Sequence, residues 1–225
     1  MQFHFTMNHY ILNYENGRAE KNYEKHNDCN LKVDEALCVT IENKFVKWNA
    51  VAAFYSKEVF ENIKFDENIC YGEDLLYKFE VIRSATGKII YQQLTKYHYR
   101  VRNYSACSSY PLVKKIDDLK VLEYIMKKSE GYISDLTFRK QYIPKLINYM
   151  YESTLSEDST DNDLFAYFVD KVKQNHKRAL NDKQLSVSKK LKVLTSFLPV
   201  NLLRRIVKVY AQLGSRRLAR KTNKM

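Results

Sequence analysis

The chain has 225 residues and a formal net charge of +12, enough length for one large domain or two small ones with a real core. Five Gly and three Pro are too few for long disordered linkers, and no apolar run is long enough to cross a membrane. No secretory signal is legible, and neither the cysteines at 29, 38, 70 and 107 nor the five histidines have metal-ligand spacing; reduced, partly buried thiols in a cytosolic setting are expected.

In chain order, residues 10–14 alternate in polarity and run into Asn16-Gly17, which predicts a strand and a hairpin turn. A helix is predicted over 34–43, with Asp34 and Glu35 in its first turn. An aromatic segment containing Trp48 follows, and then a short helix over 56–63. The run YGEDLLYKFEVIRSATG reads as another helix: Gly72 breaks, Glu73 and Asp74 open it, Leu75, Phe79 and Ile82 recur at helical spacing, and Gly87 closes it. Strands are predicted over 88–91 and over a stretch ending in Tyr97, His98, Tyr99 and Arg100.

Glu73 and Asp74 are the most informative residues. Acids in a first helical turn are stabilised by the helix dipole and by free backbone N–H groups, which favours the ionised form a general base needs. The same placement suits a plain helix cap, and these two residues alone do not separate the roles.

Their setting adds a resemblance. Trp48-Asn49 precedes Lys57-Glu58-Val59-Phe60; then come Phe65, Glu67 and Glu73-Asp74-Leu75, and finally Tyr97, Tyr99, Arg100 and Ser105. This order resembles the acceptor-side half of family 2 glycosyltransferases with the GT-A fold, over roughly residues 5–110. The resemblance implies an α/β fold: a partial nucleotide-diphospho-sugar transferase domain at 1–110, followed by an all-helical extension at 111–225. It implies inverting transfer of a sugar from a nucleotide-diphospho-sugar to an acceptor hydroxyl, in bacterial surface polysaccharide biosynthesis. Asp74 would be the base, Glu73 would orient the acceptor or the helix start, and Trp48 would stack on a sugar ring. Arg100 would face the diphosphate, with Tyr99 and His98 beside it in substrate binding; His98 also reads as an exposed strand residue. Lipid-linked glycans are the implied acceptors. Eighteen Tyr and eleven Phe supply flat faces for a sugar groove, although core packing accounts for most of them.

The resemblance does not extend to the family's nucleotide-binding half. Mn or Mg is therefore expected only for a complete enzyme with an Asp-x-Asp motif, and no cofactor is expected in this chain. The one Asp-x-Asp here, Asp161-Asn162-Asp163, precedes an apolar helical run and reads as helix-start acids. A truncated transferase inactive alone, one piece of a split enzyme and a non-catalytic interaction module all remain open, and another chain would supply the first half.

From about residue 111 the pattern is wholly helical. Val113, Ile116, Leu119, Leu122 and Met126 predict one apolar face; a second helix is expected around Leu136–Met150 with a kink at Pro144, and a third around 164–172. The charge is concentrated at the end: His176 to Met225 holds fourteen Lys or Arg against one acid, Asp182, while the rest of the chain holds 24 basic and 25 acidic residues. A last helix is predicted between Pro199 and Gly214. At about 100° per residue, Leu203, Ile206 and Val207 fall on one face and Arg204, Arg205 and Lys208 on another. With Arg216 and Arg217 beyond it, this segment predicts contact with an anionic membrane surface, and hence a peripheral protein on the inner face of the cell membrane. Nucleic acid is not expected as a partner, because aromatics do not interleave with the basic residues.

Overall fold

The computed structural model describes residues 5–7, 10–21, 26–51, 53–93, 97–102, 111–155 and 161–209. The protein is mixed α/β with small sheets and a helical C-terminal region. It divides into two compact units, Met1–Gln141 and Tyr142–Met225.

In the first unit, strands β1 (Phe5–Met7), β4 (Cys29–Leu31), β5 (Ala53–Tyr55) and β6 (Ile89–Tyr91) form a four-stranded sheet in the order β4-β6-β1-β5. Strand β1 runs parallel to β6 and antiparallel to β5, and β4 runs antiparallel to β6. Ile89 and Tyr91, two residues apart and so on one face, are fully buried. The Tyr91 ring meets Phe45 edge-on at 4.7 Å, and His26 stacks on Phe45 at 4.0 Å. A second sheet holds β2 (Tyr10–Tyr14) between β3 (Ala19–Lys21) and β7 (Tyr97–Val101), antiparallel to β3 and parallel to β7. The Asn16-Gly17 hairpin is as expected, with Gly17 at φ +82.

Helices α1 (Val33–Glu42), α2 (Lys57–Asn62), α3 (Glu73–Ser84), α4 (Lys115–Lys128) and α5 (Tyr132–Thr137) complete this unit. Helix α3 is its central helix. It buries Leu75, Tyr77, Lys78, Phe79, Val81 and Ile82, too many directions for a one-faced surface helix, and packs between α1 and α4. The Tyr124 hydroxyl donates to Glu80 Oε1 at 2.7 Å and ties α4 to α3. The buried stripe of α4 is Leu119, Val121, Leu122 and Ile125. Val113, expected on it, is exposed in a short 3-10 turn ahead of the helix. The pattern turns helical near residue 111, yet the compact units divide only after Gln141, because α4 packs on α3 and α5 on α1.

The second unit comprises α6 (Ile143–Leu155), α7 (Asp161–Gln174), α8 (His176–Asn181), α9 (Val187–Thr195) and α10, which is helical over the described residues 200–209. The helix expected around Leu136–Met150 with a kink at Pro144 is instead three consecutive pieces, α5, a widened π-type turn at Phe138–Tyr142 and α6, with Pro144 in the first turn of α6. Proline has no N–H to donate back along the helix, so the register of hydrogen bonds has to change there. Helix α7 starts at Asp161, as helix-start acids require. Leu146, Met150, Phe165, Phe168 and Val172 form the core where α6 and α7 meet, with Val193 of α9 and Leu203 and Val207 of α10 fully buried beside them.

Candidate functional site

The site begins with a glycine. Gly72 stands at φ +89, a conformation that strains any residue with a Cβ, and a Cβ there would lie 3.2 Å from Asp118 Oδ1. This left-handed residue lets the chain turn sharply into α3 while passing close to α4. The next two residues are Glu73 and Asp74, so both acids open the helix as the sequence predicts.

Asp74 is half-buried and accepts a hydrogen bond from the backbone N–H of Ala50. One helical turn on, Lys78 is 3% exposed, and its ammonium donates to the carbonyls of Lys47 and Asn49, each at 2.7 Å. The 47–50 turn is thus fastened to α3 by two charged side chains. Trp48 lies in this turn, and its indole N–H donates to the Thr40 carbonyl at 2.8 Å, which fixes the ring against the end of α1. The Tyr55 hydroxyl donates to the Ala50 carbonyl at 3.0 Å. Tyr55 meets Tyr77 edge-on at 5.6 Å, and Tyr77 stacks on Phe65 at 4.2 Å. Among the described residues, the buried Tyr77 hydroxyl has no hydrogen-bond partner.

The electrostatics follow from burial. Burial raises the Asp74 carboxyl from the ordinary aspartate value, against the Ala50 N–H and Lys78, which both favour the ionised form. The donor to Asp74 is not an N–H of the helix start, as expected from sequence, but that of Ala50 in a turn far along the chain, and desolvation outweighs it. Burial also raises Glu73; N–H groups of the helix start oppose this, and the charges of Asp74 and Asp118 add to it. Lys78 is lowered to about 7 by burial, partly offset by Asp74. The tyrosines move the same way: burial raises Tyr55 well above its ordinary value, and Tyr77 less so. A half-buried carboxylate with enhanced proton affinity, close to Lys78 and to Tyr55, is suited to accept a proton from a hydroxyl.

The other expected site residues lie on β7, in the second sheet. His98 and Arg100 are exposed and alternate with half-buried Tyr99, which tilts against Tyr10 at 5.8 Å. Asn13 Nδ2 lies 2.8 Å from His98 Nδ1, so the amide donates to the ring. The structure thus places Trp48 in the turn that Asp74 and Lys78 hold, with its indole N–H turned to α1, while Tyr99, Arg100 and His98 stand among the residues of β2. The sequence reading missed Lys78, Tyr55 and Tyr77. The available signal for Lys78 was a lysine set among Leu75, Phe79 and Ile82, four residues after Asp74.

Of the basic residues expected at a membrane, Arg205 and Lys208 are exposed, whereas the Arg204 guanidinium packs over the Phe165 ring at 4.9 Å. Arg216 and Arg217 lie outside the described residues. Among the described residues, no group of three His, Cys, Asp or Glu side chains is placed to hold a metal ion, and no helix is long and apolar enough to cross a membrane. Comparison with family models, curated proteins and solved structures finds no match to this chain.

Proposed function

We propose that the first unit is the acceptor-side part of an inverting, family 2-like glycosyltransferase acting in surface polysaccharide assembly. Asp74 removes the proton of an acceptor hydroxyl as that oxygen attacks the anomeric carbon of a nucleotide-diphospho-sugar. The diphosphate leaves from the opposite face. The observation that carries this reading is the Asp74 carboxylate itself: half-buried, raised in proton affinity, held by the Ala50 N–H and bordered by Tyr55 and Lys78. Trp48 offers the acceptor sugar an apolar face from the adjoining turn. Glu73 holds the helix start, and Arg100, Tyr99 and His98 serve the donor side. A complete enzyme would use Mn or Mg on the diphosphate. The basic C-terminal segment has an anionic membrane as its partner, where lipid-linked acceptors reside.

A second reading is a non-catalytic binding module; one piece of a split transferase would fall under the first reading, with the nucleotide-binding half supplied by its partner. The observation favouring the binding module is the mutual satisfaction of the cluster, in which Asp74, Lys78, Tyr55 and Trp48 all bond to backbone groups, as structural residues do.

Turnover decides between them. The chain, alone and combined with a nucleotide-binding partner, is assayed for transfer of labelled sugar to lipid-linked acceptors. Asp74→Asn is expected to keep the fold and lower turnover by roughly 10²–10⁴, the scale for losing a positioned base. Turnover that survives Asp74→Asn would leave this residue a purely structural role, holding the 47–50 turn through the Ala50 N–H. Absence of transfer in every combination, while oligosaccharides still perturb the Trp48 indole resonance, would leave the binding module.

A further inference from the structure

The second unit carries an apolar surface that its own core does not use. On α9, Val187, Leu191 and Leu194 follow helical spacing and point outward, with Val187 74% and Leu191 58% exposed. On α10, Leu202, Ile206 and Val209 repeat the same i, i+4, i+7 pattern and are also exposed. Phe197 and Val200, in and after the connecting turn, are exposed as well. Between the two helices lies a groove of about 370 Å³, lined by Tyr151, Leu191, Lys192, Thr195, Ile206 and Val207. That volume is at the low end of small-ligand sites.

The apolar face predicted for α10 from sequence is therefore divided. Leu203 and Val207 are at 0% and 3% exposure and belong to the core, whereas Ile206 does not, and Leu202 beside it is exposed too. Around α10 the order is core, outward apolar stripe, then the exposed cations Arg205 and Lys208. From Val187 to Val209 there are six Lys or Arg and no acid.

From this we infer that the α9–α10 hairpin, rather than the terminal helix alone, is the element that inserts into an anionic phospholipid bilayer, with the groove receiving one acyl chain and the flanking lysines and arginines meeting phosphate head groups. The inference rests on the membrane reading of the basic segment given above and specifies its surface. Two observations select this occupant. A contiguous exposed apolar cluster marks an interaction surface, and nucleic acid would leave that cluster in water. A second copy of the chain would bring like charges together across an acid-free face, a repulsion that anionic lipid reverses.

The full-length chain is sedimented with vesicles of phosphatidylcholine, and with vesicles that also contain phosphatidylglycerol, at low and high salt. The comparison is the double variant Leu191→Ser with Ile206→Ser, both at exposed positions, whose fold is checked by circular dichroism and melting temperature. The expected result is binding to the anionic vesicles that weakens with salt, and roughly tenfold or greater loss of partitioning in the double variant at unchanged melting temperature. A second variant, Val187→Trp, reads α9 directly: vesicles with brominated acyl chains should quench its added emission. Equal binding by the double variant, or no quenching of V187W, overturns the hairpin while leaving charge-driven membrane association standing. Failure of the wild-type chain to bind acidic vesicles at low salt overturns both. Lipid-free dimerisation that the double variant abolishes would make this face a contact between copies, and overturns the lipid assignment.

Discussion

Asp74 and Lys78, one turn apart on α3, are both directed at the same four-residue turn: the carboxylate accepts from Ala50 N–H, and the ammonium donates to the Lys47 and Asn49 carbonyls. A turn that offers both signs of backbone dipole is held by an acid and a base of the same helix. Each charge makes the other's burial less costly, and neither is fully compensated. This leaves the acid with raised proton affinity and the base with lowered affinity.

Lys78 gives a pH signature. Its pKa is about 7 in the folded protein against a reference of 10.5. Between those values the unfolded chain binds the proton and the folded chain does not, so stability rises with pH from about 7 upward, by at most about 1.4 kcal/mol per pH unit. The thiols of Cys29 and Cys38, raised by burial, act in the opposite direction near and above 9. The clean window is therefore about pH 7 to 8.5. Urea midpoints across it should climb for the wild type and stay flat for Lys78→Met. Parallel profiles for the two proteins would show that Lys78 keeps its proton when folded.

Tyr77 carries a buried hydroxyl without a partner among the described residues, although its ring is well packed against Phe65 and Tyr55. Removing an unsatisfied polar group costs nothing in lost bonds and recovers its desolvation penalty. Tyr77→Phe should thus be neutral or stabilising, by up to about 1–3 kcal/mol. Thermal unfolding measures it. In contrast, Tyr55→Phe leaves the Ala50 carbonyl without its donor and should destabilise by about 1 kcal/mol. A lower melting temperature for Tyr77→Phe would reveal a hydrogen bond to water or ligand at that hydroxyl.

Gly72 and Gly17 separate two costs that substitution usually mixes. Both have positive φ, but a Cβ at Gly17 meets nothing within 4 Å, whereas one at Gly72 meets Asp118 Oδ1 at 3.2 Å and its Cα at 3.4 Å. Gly17→Ala should cost only the left-handed backbone penalty, about 1–2 kcal/mol. Gly72→Ala should cost more, since the Cβ crowds Asp118 Oδ1 on a buried side chain that has to shift by a few tenths of an ångström. Denaturant midpoints for the two variants check this, and equal losses would mean that α4 gives way freely.

Elements whose signals are local are legible in the amino-acid pattern. The Asn16-Gly17 turn, the acid-led start of α3 after Gly72, and the short helix between Ser56 and Ile63 are encoded within a few residues, by backbone preference and helical period. Helices α8 and α9 escaped the reading, although Ser186 capping Lys189 N–H and the spacing of Val187, Leu191 and Leu194 are local signals of the same kind. The remaining features follow from long-range packing. Strand β1 is three residues long and becomes a central strand through pairing with Ile89–Tyr91, some eighty residues away. The burial of Lys78 exists only because Lys47 and Asn49 present carbonyls to it from a distant turn. The continuous apolar face of α10 is likewise divided by its neighbours, which cover Leu203 and Val207 and leave Ile206 to solvent. Periodicity tells which side chains share a face of a helix. Which part of that face is covered depends on the packing of elements far apart in the chain, and no local pattern carries that information.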